Sequence, residues 1–355
     1  MNFYPPEKTK IAVAMSGGVD SSVTAYLLLK KGYAVTGVTM QVMPAGELTN
    51  NTINAAKSVA NQLNIEHHCV DVSKTFHEQI IKPFCDQYIC GRTPNPCVYC
   101  NRLIKFSALI NLAREIGADY LSTGHYVRIA HGNYCKLQKG IDPKKDQSYF
   151  LARLIQNQLS KIVTPLGDYT KDQVWQIARE AGFESEKKEE SQEICFLPEG
   201  DYAGFVYRYG NGTAKPGRIV YSDGKVAGTH RGLPYYTIGQ RKFLGVATGK
   251  PQYVIDIRPQ DNTVVIGDDR DLLRRGVKVT GLNWIVPQIP IPGTKLKGRI
   301  RYRHNESDGE IILNTGTEVE FVFDEPQRAV TPGQQMVFYR GDEVIGAGVI
   351  DSSHN

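Results

Sequence analysis

The chain has 355 residues, 41% of them hydrophobic, with 42 Lys and Arg against 37 Asp and Glu for a formal charge of +5. Such a chain buries a large core and divides into two or three domains, which excludes a disordered or fibrous protein; its mild positive charge permits an RNA or nucleotide partner without requiring one. Met1 to Lys8 lacks the apolar run of a secretory signal and no segment reaches the ~18 apolar residues of a membrane span, so a cytoplasmic protein with no membrane partner is expected.

The first predicted strand, Ile11–Met15, runs into Gly17 and Gly18 and then into a capped amphipathic helix, Ser21–Lys31, closed by Gly32. A glycine pair between strand and helix lets successive N–H groups turn around an anion at the positive helix end, which makes this a phosphate cradle. No Lys-Ser/Thr pair follows, so the loop is not a Walker A motif. The alternation continues with Tyr33–Met40, Ile53–Leu63 and His67–Val72, then Phe106–Ile116, Tyr120–Thr123 and Lys171–Ala181. Strands alternating with helices specify an α/β fold with a doubly wound parallel sheet whose ligands bind beyond the carboxyl ends of the strands. Past about Pro198 helical periodicity gives way to Gly, Pro, Tyr and alternating strands, and turn signals between Gly276 and Ile350 suggest a small β-barrel. The expected division is a catalytic domain over 1–198, a small central domain over 199–275 and a barrel over 276–355.

Seven cysteines, an odd number scattered along the chain, argue for reduced thiols rather than a disulfide framework. Two stand three apart in Thr93-Pro-Asn-Pro-Cys-Val-Tyr-Cys-Asn101, a loop stiffened by its prolines. A Cys-x-x-Cys pair serves as a redox couple, as half a zinc site or as part of an iron–sulfur site. Cys195, between Ile194 and Phe196, is the candidate third thiol, although its segment alone reads as a buried small residue; Cys69, Cys85, Cys90 and Cys135 read as buried too. Lys295, Lys297, Arg299, Arg301 and Arg303 alternate, which as a strand aligns five cations on one face, either along a phosphate backbone or on a solvated barrel wall with Leu296, Ile300 and Tyr302 inward. Lys187-Lys-Glu-Glu190 reads as a solvated mixed-charge run. His125, at the end of a strand, reads either as a substrate contact or as a structural hydrogen-bonder.

Ser16-Gly-Gly-Val-Asp-Ser21 resembles the PP-loop of ATP pyrophosphatases, and nearly the whole chain resembles the bacterial tRNA-specific 2-thiouridylases, the MnmA family. The resemblance rests on Ala14–Ser22, Gly91–Arg102, Thr123–Tyr126, Lys145–Leu151, Ser191–Phe196, Tyr236–Arg241, Arg301–Arg303 and Arg328–Gln334. It implies a tRNA uridine 2-sulfurtransferase that adenylates O2 of the wobble uridine with ATP and magnesium and then replaces that oxygen with sulfur. It places ATP at Ala14, Met15, Ser16, Gly17, Gly18, Val19, Asp20, Ser21, Met40 and Gly124, with Asp20 toward magnesium or pyrophosphate. Cys100 matches the nucleophile and Cys195 the cysteine that carries the persulfide. Asn95, Pro96 and Cys97 face the target base, while His125, Lys145, Asp146, Gln147, Arg301, Tyr302 and Gln334 fall on tRNA-contacting positions. The implied partners are tRNA and a sulfur-donor protein, either a cysteine desulfurase or a relay carrier.

Two positions depart from the family pattern. Cys97 stands where many members have Asp, and a thiol of ordinary pKa about 8.5 is no equivalent acid–base group. It opens an alternative in which Cys97, Cys100 and Cys195 hold a 4Fe-4S cluster that delivers sulfide. His304 stands where Gln is frequent, so no tRNA contact is expected there. The rival readings are another PP-loop synthetase, which needs neither the three cysteines nor the basic strand, and an RNA-binding module stapled by metal.

Overall fold

The computed structural model describes residues 5–44, 46–183, 194–197, 201–210, 212, 214–247 and 249–355. The Lys187–Glu190 run and residues 191–193 of the second cysteine motif lie outside the described residues.

Strand β1 (Lys10–Ala14) alternates Ile11 and Val13 toward one side of the sheet and Ala12 toward the other, and every one of the three is buried. That two-sided burial is what a central parallel strand requires. It pairs in parallel with β2 (Ala34–Gln41) and, across the sheet, with β4 (Tyr120–Ser122); β3 (His67–Asp71) extends the β2 side. On one face lie α1 (Val19–Lys30) and α2 (Glu47–Gln62), where Ala25, Leu28, Ala56 and Ala60 meet Ile11 and Val13; on the other, the helix Phe106–Glu115 covers Ala12, Val38 and Leu121. Helix α1 is not one-sided: Ser21, Ser22, Val23, Thr24 and Ala25 are all buried, because the helix Lys171–Glu180 packs on its outer flank.

The hairpin β5 (Val127–Ala130) and β6 (Lys136–Lys139) leaves the parallel sheet, which a two-residue strand, β7 (Ile162–Val163), completes in the order β3-β2-β1-β4-β7. A middle sheet follows from β8 (Gly217–Tyr221), β9 (Val226–His230), β10 (Tyr253–Arg258) and β11 (Thr263–Gly267), ordered β10-β11-β8-β9. The last six strands are β12 (Leu273–Trp284), β13 (Lys295–Arg299), β14 (Ser307–Asn314), β15 (Glu318–Arg328), β16 (Gln335–Arg340) and β17 (Glu343–His354). Because β12 pairs with both β15 and β17, they close into a barrel around Phe321, Phe323 and Phe338. Closure leaves no edge among them except where β17 accepts β6 through Glu343 and Gln138, which welds the hairpin of the first unit to the barrel.

The basic alternation stops short of its predicted end. Strand β13 ends at Arg299 and the chain turns, so Arg301 and Arg303 are not in line with Lys295, Lys297 and Arg299. Leu296 and Ile300 do enter the barrel core, but Tyr302 packs outside it on Phe150, ring centroids 4.3 Å apart. Two of the strand's cations are engaged: Lys297 pairs with Asp308 at 2.9 Å and Arg299 with Asp146 at 3.4 Å.

Asp146, the partner of Arg299, is thus built into the fold. Only 6% exposed, its carboxylate accepts from the Ser148 N–H and hydroxyl at 3.0 and 2.9 Å, from the Gly140 N–H at 3.3 Å and from Arg299. Arg299 in turn lies over the rings of Tyr149 and Tyr302. Removing the carboxylate leaves a largely buried guanidinium without its counter-charge, so Asp146→Ala is expected to destabilise the chain by about 2–3 kcal/mol in urea unfolding. A stable Asp146→Ala variant with weakened tRNA binding would instead return this residue to the RNA surface.

Candidate active site

At the carboxyl end of the parallel sheet a cavity of ≈ 330 Å³ opens between the first turn of α1, the Pro-rich cysteine loop and the second cysteine motif. Its wall includes Asp20, Pro96, Cys97, Cys100, Lys105, His125, Lys145, Gln147, Cys195 and Tyr302.

The phosphate loop divides its two glycines between two tasks. Gly17 sits at φ +74°, and a Cβ there would lie 2.4 Å from the Cβ of Ala55, so the fold itself demands glycine. A Cβ on Gly18 would meet only the Ser16 hydroxyl at 3.4 Å and otherwise point into open space. Gly124 brings the end of β4 under the loop, where a Cβ would lie 2.9 Å from the Asp20 carbonyl carbon. The Ser21 hydroxyl donates to the Gly18 carbonyl at 2.9 Å and accepts from the Ser16 N–H at 3.3 Å. No side chain caps α1 at Gly18, contrary to the expected cap, and the amides of the first turn are left to an anion. Ala14 ends β1, Met15 follows it and Met40 is the last residue but one of β2, but Met15 is 4% exposed and points into the core, while Met40 packs between two apolar clusters.

Asp20 is already engaged on one oxygen: its Oδ1 accepts from the Tyr126 hydroxyl at 2.6 Å and from Lys171 Nζ at 2.7 Å. Lys171, with its side chain 13% exposed, puts a cation beside the phosphate loop. Its sequence context gave no sign of this, since Thr170 and Gln173 form a capping box that marks a helix start and makes a first-turn lysine look solvated.

The cysteine loop is held from three sides. The Thr93 N–H donates to the Pro332 carbonyl at 2.9 Å, Gln334 Nε2 donates to the Thr93 carbonyl at 2.8 Å, and the Thr93 hydroxyl lies 3.4 Å from that of Thr237 in the middle unit. Arg92 reaches the Ile350 carbonyl at 2.9 Å and Asp351 at 3.2 Å. Asn95 then caps the short helix Pro96–Tyr99 by accepting from the Cys97 N–H at 3.2 Å. From Cys100 to Lys105 the helix widens into π turns, and the Phe106 N–H reaches the Asn101 carbonyl. In an α-helix residues five apart point about 140° away from each other; π winding joins i to i+5 and brings Lys105 round to the side of Cys100.

The three thiols share the cavity but not the same exposure. Cys195 is exposed, because its neighbour Phe196 anchors the segment by packing edge-on against Phe76 and Phe84; the buried reading of Cys195 is thereby corrected. Cys97 is half-buried and Cys100 is 5% exposed. Of the other four, Cys85 and Cys135 are buried as expected, whereas Cys69 and Cys90 are exposed. Burial pushes the Cys97 thiol up to about 11 and the Cys100 thiol up to about 12, with Lys105 pulling both back. The Lys105 ammonium is lowered by burial but raised more by Cys100, Cys195 and Cys97, and stands above its ordinary value. His125 is driven down to about 3 by burial and by Lys105, so its imidazole is neutral; its Nδ1 lies 2.9 Å from the Thr123 hydroxyl. Lys105 is thus a cation next to three thiols that sequence reasoning missed, since its placement depends on the π turn. Among the described residues no three His, Cys, Asp or Glu side chains converge as metal ligands, so a cluster on Cys97, Cys100 and Cys195 would require these thiols to move together.

Asn95, Arg301 and Gln334 face a second, larger cleft of ≈ 680 Å³ between the barrel and the middle unit. It shares Pro96, Cys97, Phe150, Tyr302 and Arg303 with the first cavity, so the two lie side by side.

Three family models match the chain: one described as the tRNA methyl transferase HUP domain over residues 9–199, one as the tRNA methyl transferase PRC-barrel domain over 204–268 and one as the aminomethyltransferase beta-barrel domain over 274–350. The tRNA-specific 2-thiouridylase MnmA of Carboxydothermus hydrogenoformans is 45% identical over 359 residues, covering 97% of this chain and 98% of its own. The chain belongs to the tRNA-specific 2-thiouridylase family. A second member, from Syntrophotalea carbinolica, is 46% identical over 350 residues, covering 97% of this chain and 99% of its own. Among solved structures, the U34-tRNA thiolase NcsA from Methanococcus maripaludis with its 4Fe-4S cluster matches at TM-score 0.37 and 20% identity over 57% of this chain and 63% of that one, a likeness that carries no argument about the site.

The exposure gradient predicts an order of reactivity. Iodoacetamide at pH 8 should modify Cys195 well before Cys97 or Cys100, whose thiolate forms become abundant only as pH climbs toward 11 and 12. Lys105→Met should push both titrations higher still, read by mass spectrometry of the labelled peptides across a pH series. Cys100 alkylated as fast as Cys195 at pH 8 would contradict this picture.

Proposed function

We propose that this protein uses ATP to adenylate O2 of the wobble uridine of tRNA and replaces that oxygen with a sulfur atom carried on Cys195. The observation that supports this reading is the shared cavity, which three thiols of unequal exposure line together with Asp20, two residues beyond the glycine pair of the phosphate loop. A urea-like carbonyl is a poor electrophile, and transfer of its oxygen to the α-phosphorus of ATP, with loss of pyrophosphate, makes AMP the leaving group. Asp20 would hold a magnesium ion there, which would neutralise phosphate charge in that step.

Sulfur follows in a balanced exchange. A donor protein bearing a persulfide transfers its outer sulfur to Cys195, the exposed thiol of the three. The terminal sulfur of Cys195 attacks C2 of the adenylated uridine and AMP departs. The Cys100 sulfur then attacks Cys195, breaking the sulfur–sulfur bond; the outer sulfur stays on the base as thiocarbonyl, a Cys100–Cys195 disulfide forms, and a thiol reductant reopens it. Lys105 stabilises the anionic sulfur at each stage, and neutral His125 offers a hydrogen bond without adding charge. Alkyl transfer, the activity named in two of the family models, would need neither the phosphate loop nor paired thiols.

The test is tRNA-dependent AMP release measured beside thiouridine formed per enzyme. Gly18→Val should abolish both while folding normally, since its side chain enters open space. Cys100→Ser and Cys195→Ser should lose thiolation by at least about 100-fold yet retain AMP release, because the thiols act after activation. Cys97→Asp should remain active without iron. Iron-dependent wild-type activity that Cys97→Asp loses would establish delivery by a 4Fe-4S cluster instead, and AMP release indifferent to tRNA would favour another PP-loop synthetase.

A further inference from the structure

Phe243 has a backbone φ of +61° and is 87% exposed. Both facts are unfavourable for a phenylalanine, since a bulky L side chain rarely adopts the left-handed region and an exposed ring buries nothing. The loop around it explains how the strain is kept. Leu244 is 7% exposed in the core of the middle sheet, and its carbonyl accepts from the Tyr236 hydroxyl at 3.2 Å. Gln240 Nε2 donates to the Lys242 carbonyl at 3.0 Å, and Gly239 and Gly245 take the neighbouring left-handed positions at φ +89° and +78°. The inward anchor at Leu244 leaves the preceding side chain, that of Phe243, pointing outward.

That side chain stands on the wall of the ≈ 680 Å³ cleft that adjoins the candidate catalytic cavity and shares Cys97 and Tyr302 with it. Nearby on the same wall the Arg231 guanidinium lies over the Tyr235 ring at 4.4 Å, and Arg301 faces the cleft from the barrel. Flat apolar faces interleaved with cations suit a ligand that is both planar and anionic, which an unpaired nucleotide is. Backbone strain kept in place by its surroundings is the mark of a position held for a purpose other than stability. We propose that Phe243 is a stacking platform for an unpaired nucleotide of the anticodon loop that flanks the uridine being modified. The proposal rests on the tRNA reading above and adds a subsite to it.

The test uses the full-length chain with an anticodon stem-loop RNA and the same RNA made abasic at the nucleotide on either side of the wobble position. Phe243→Gly should weaken binding of the intact stem-loop about 5- to 50-fold, while its melting temperature holds or rises because the strain is relieved. Phe243→Trp should bind like wild type. One of the two abasic RNAs should cost wild type a similar factor and cost Phe243→Gly nothing further. Equal affinities of wild type and Phe243→Gly, or equal abasic losses in both, would overturn the subsite while leaving the tRNA reading intact. A binding loss accompanied by a lower melting temperature and not rescued by Trp would show a structural role and overturn it too. Wild-type protein that fails to bind the stem-loop would defeat the tRNA reading itself and the subsite with it.

Discussion

Everything chemical in this molecule depends on a two-way hydrogen-bond exchange at Thr93, whose N–H goes to Pro332 and whose carbonyl takes the Gln334 side chain. A Pro-rich loop has few ways to bond to itself, so an unclasped segment would sample many conformations. The exchange ties it to the barrel, and Gly333 makes the approach possible: at φ +95° its absent Cβ would lie 2.9 Å from the Thr93 nitrogen. Beyond this fixed point, the Asn95 cap and the π turns set Cys97, Cys100 and Lys105 on the cavity that Asp20 lines from the first turn of α1 in the same unit. The barrel is therefore part of the active site's scaffold as well as a wall of the adjoining cleft.

In the proposed mechanism, burial would divide labour among the thiols. A sulfur atom handed over by another protein needs an accessible acceptor, and Cys195 is exposed; a thiol that must act only after the base has been activated is better kept protonated until then, and Cys100 is buried with its titration near 12. Lys105 reconciles the two requirements. It leaves the resting thiols neutral yet stands ready to stabilise negative charge wherever sulfur becomes anionic, and in an enclosed site such a charge has far more effect than it would in water.

The parallel sheet was legible because β1 and β2 are short apolar runs followed by longer helical stretches, and the glycine pair marked the phosphate loop between β1 and α1, although α1 itself is buried on more than one side. Strand β7 was not, since two residues have no period, and nothing in Val127–Lys139 announces that its hairpin would be adopted by a barrel formed some 200 residues later in the chain. The alternation of Lys295 to Arg303 overran the strand because period-two patterning cannot register a turn at Ile300. The family resemblance put Asp146 on a tRNA-contacting position, and only the tertiary fold shows it enclosed with Arg299. Lys105 and Lys171 escaped notice for the same reason: a lysine's task depends on which partner the fold brings to it, and one of these partners is a set of thiols reached through a rare helical winding.

The most direct test of this account is to locate the incoming sulfur. Full-length protein incubated with a persulfide-charged cysteine desulfurase, quenched and digested without reductant, should carry one extra sulfur atom on the Cys195 peptide. Addition of ATP and tRNA should discharge it, with one thiouridine and one Cys100–Cys195 disulfide appearing per sulfur lost. Sulfur found first on Cys97 or Cys100, or thiouridine formed while Cys195 never carries sulfur, would contradict the assignment of the exposed thiol as the entry point.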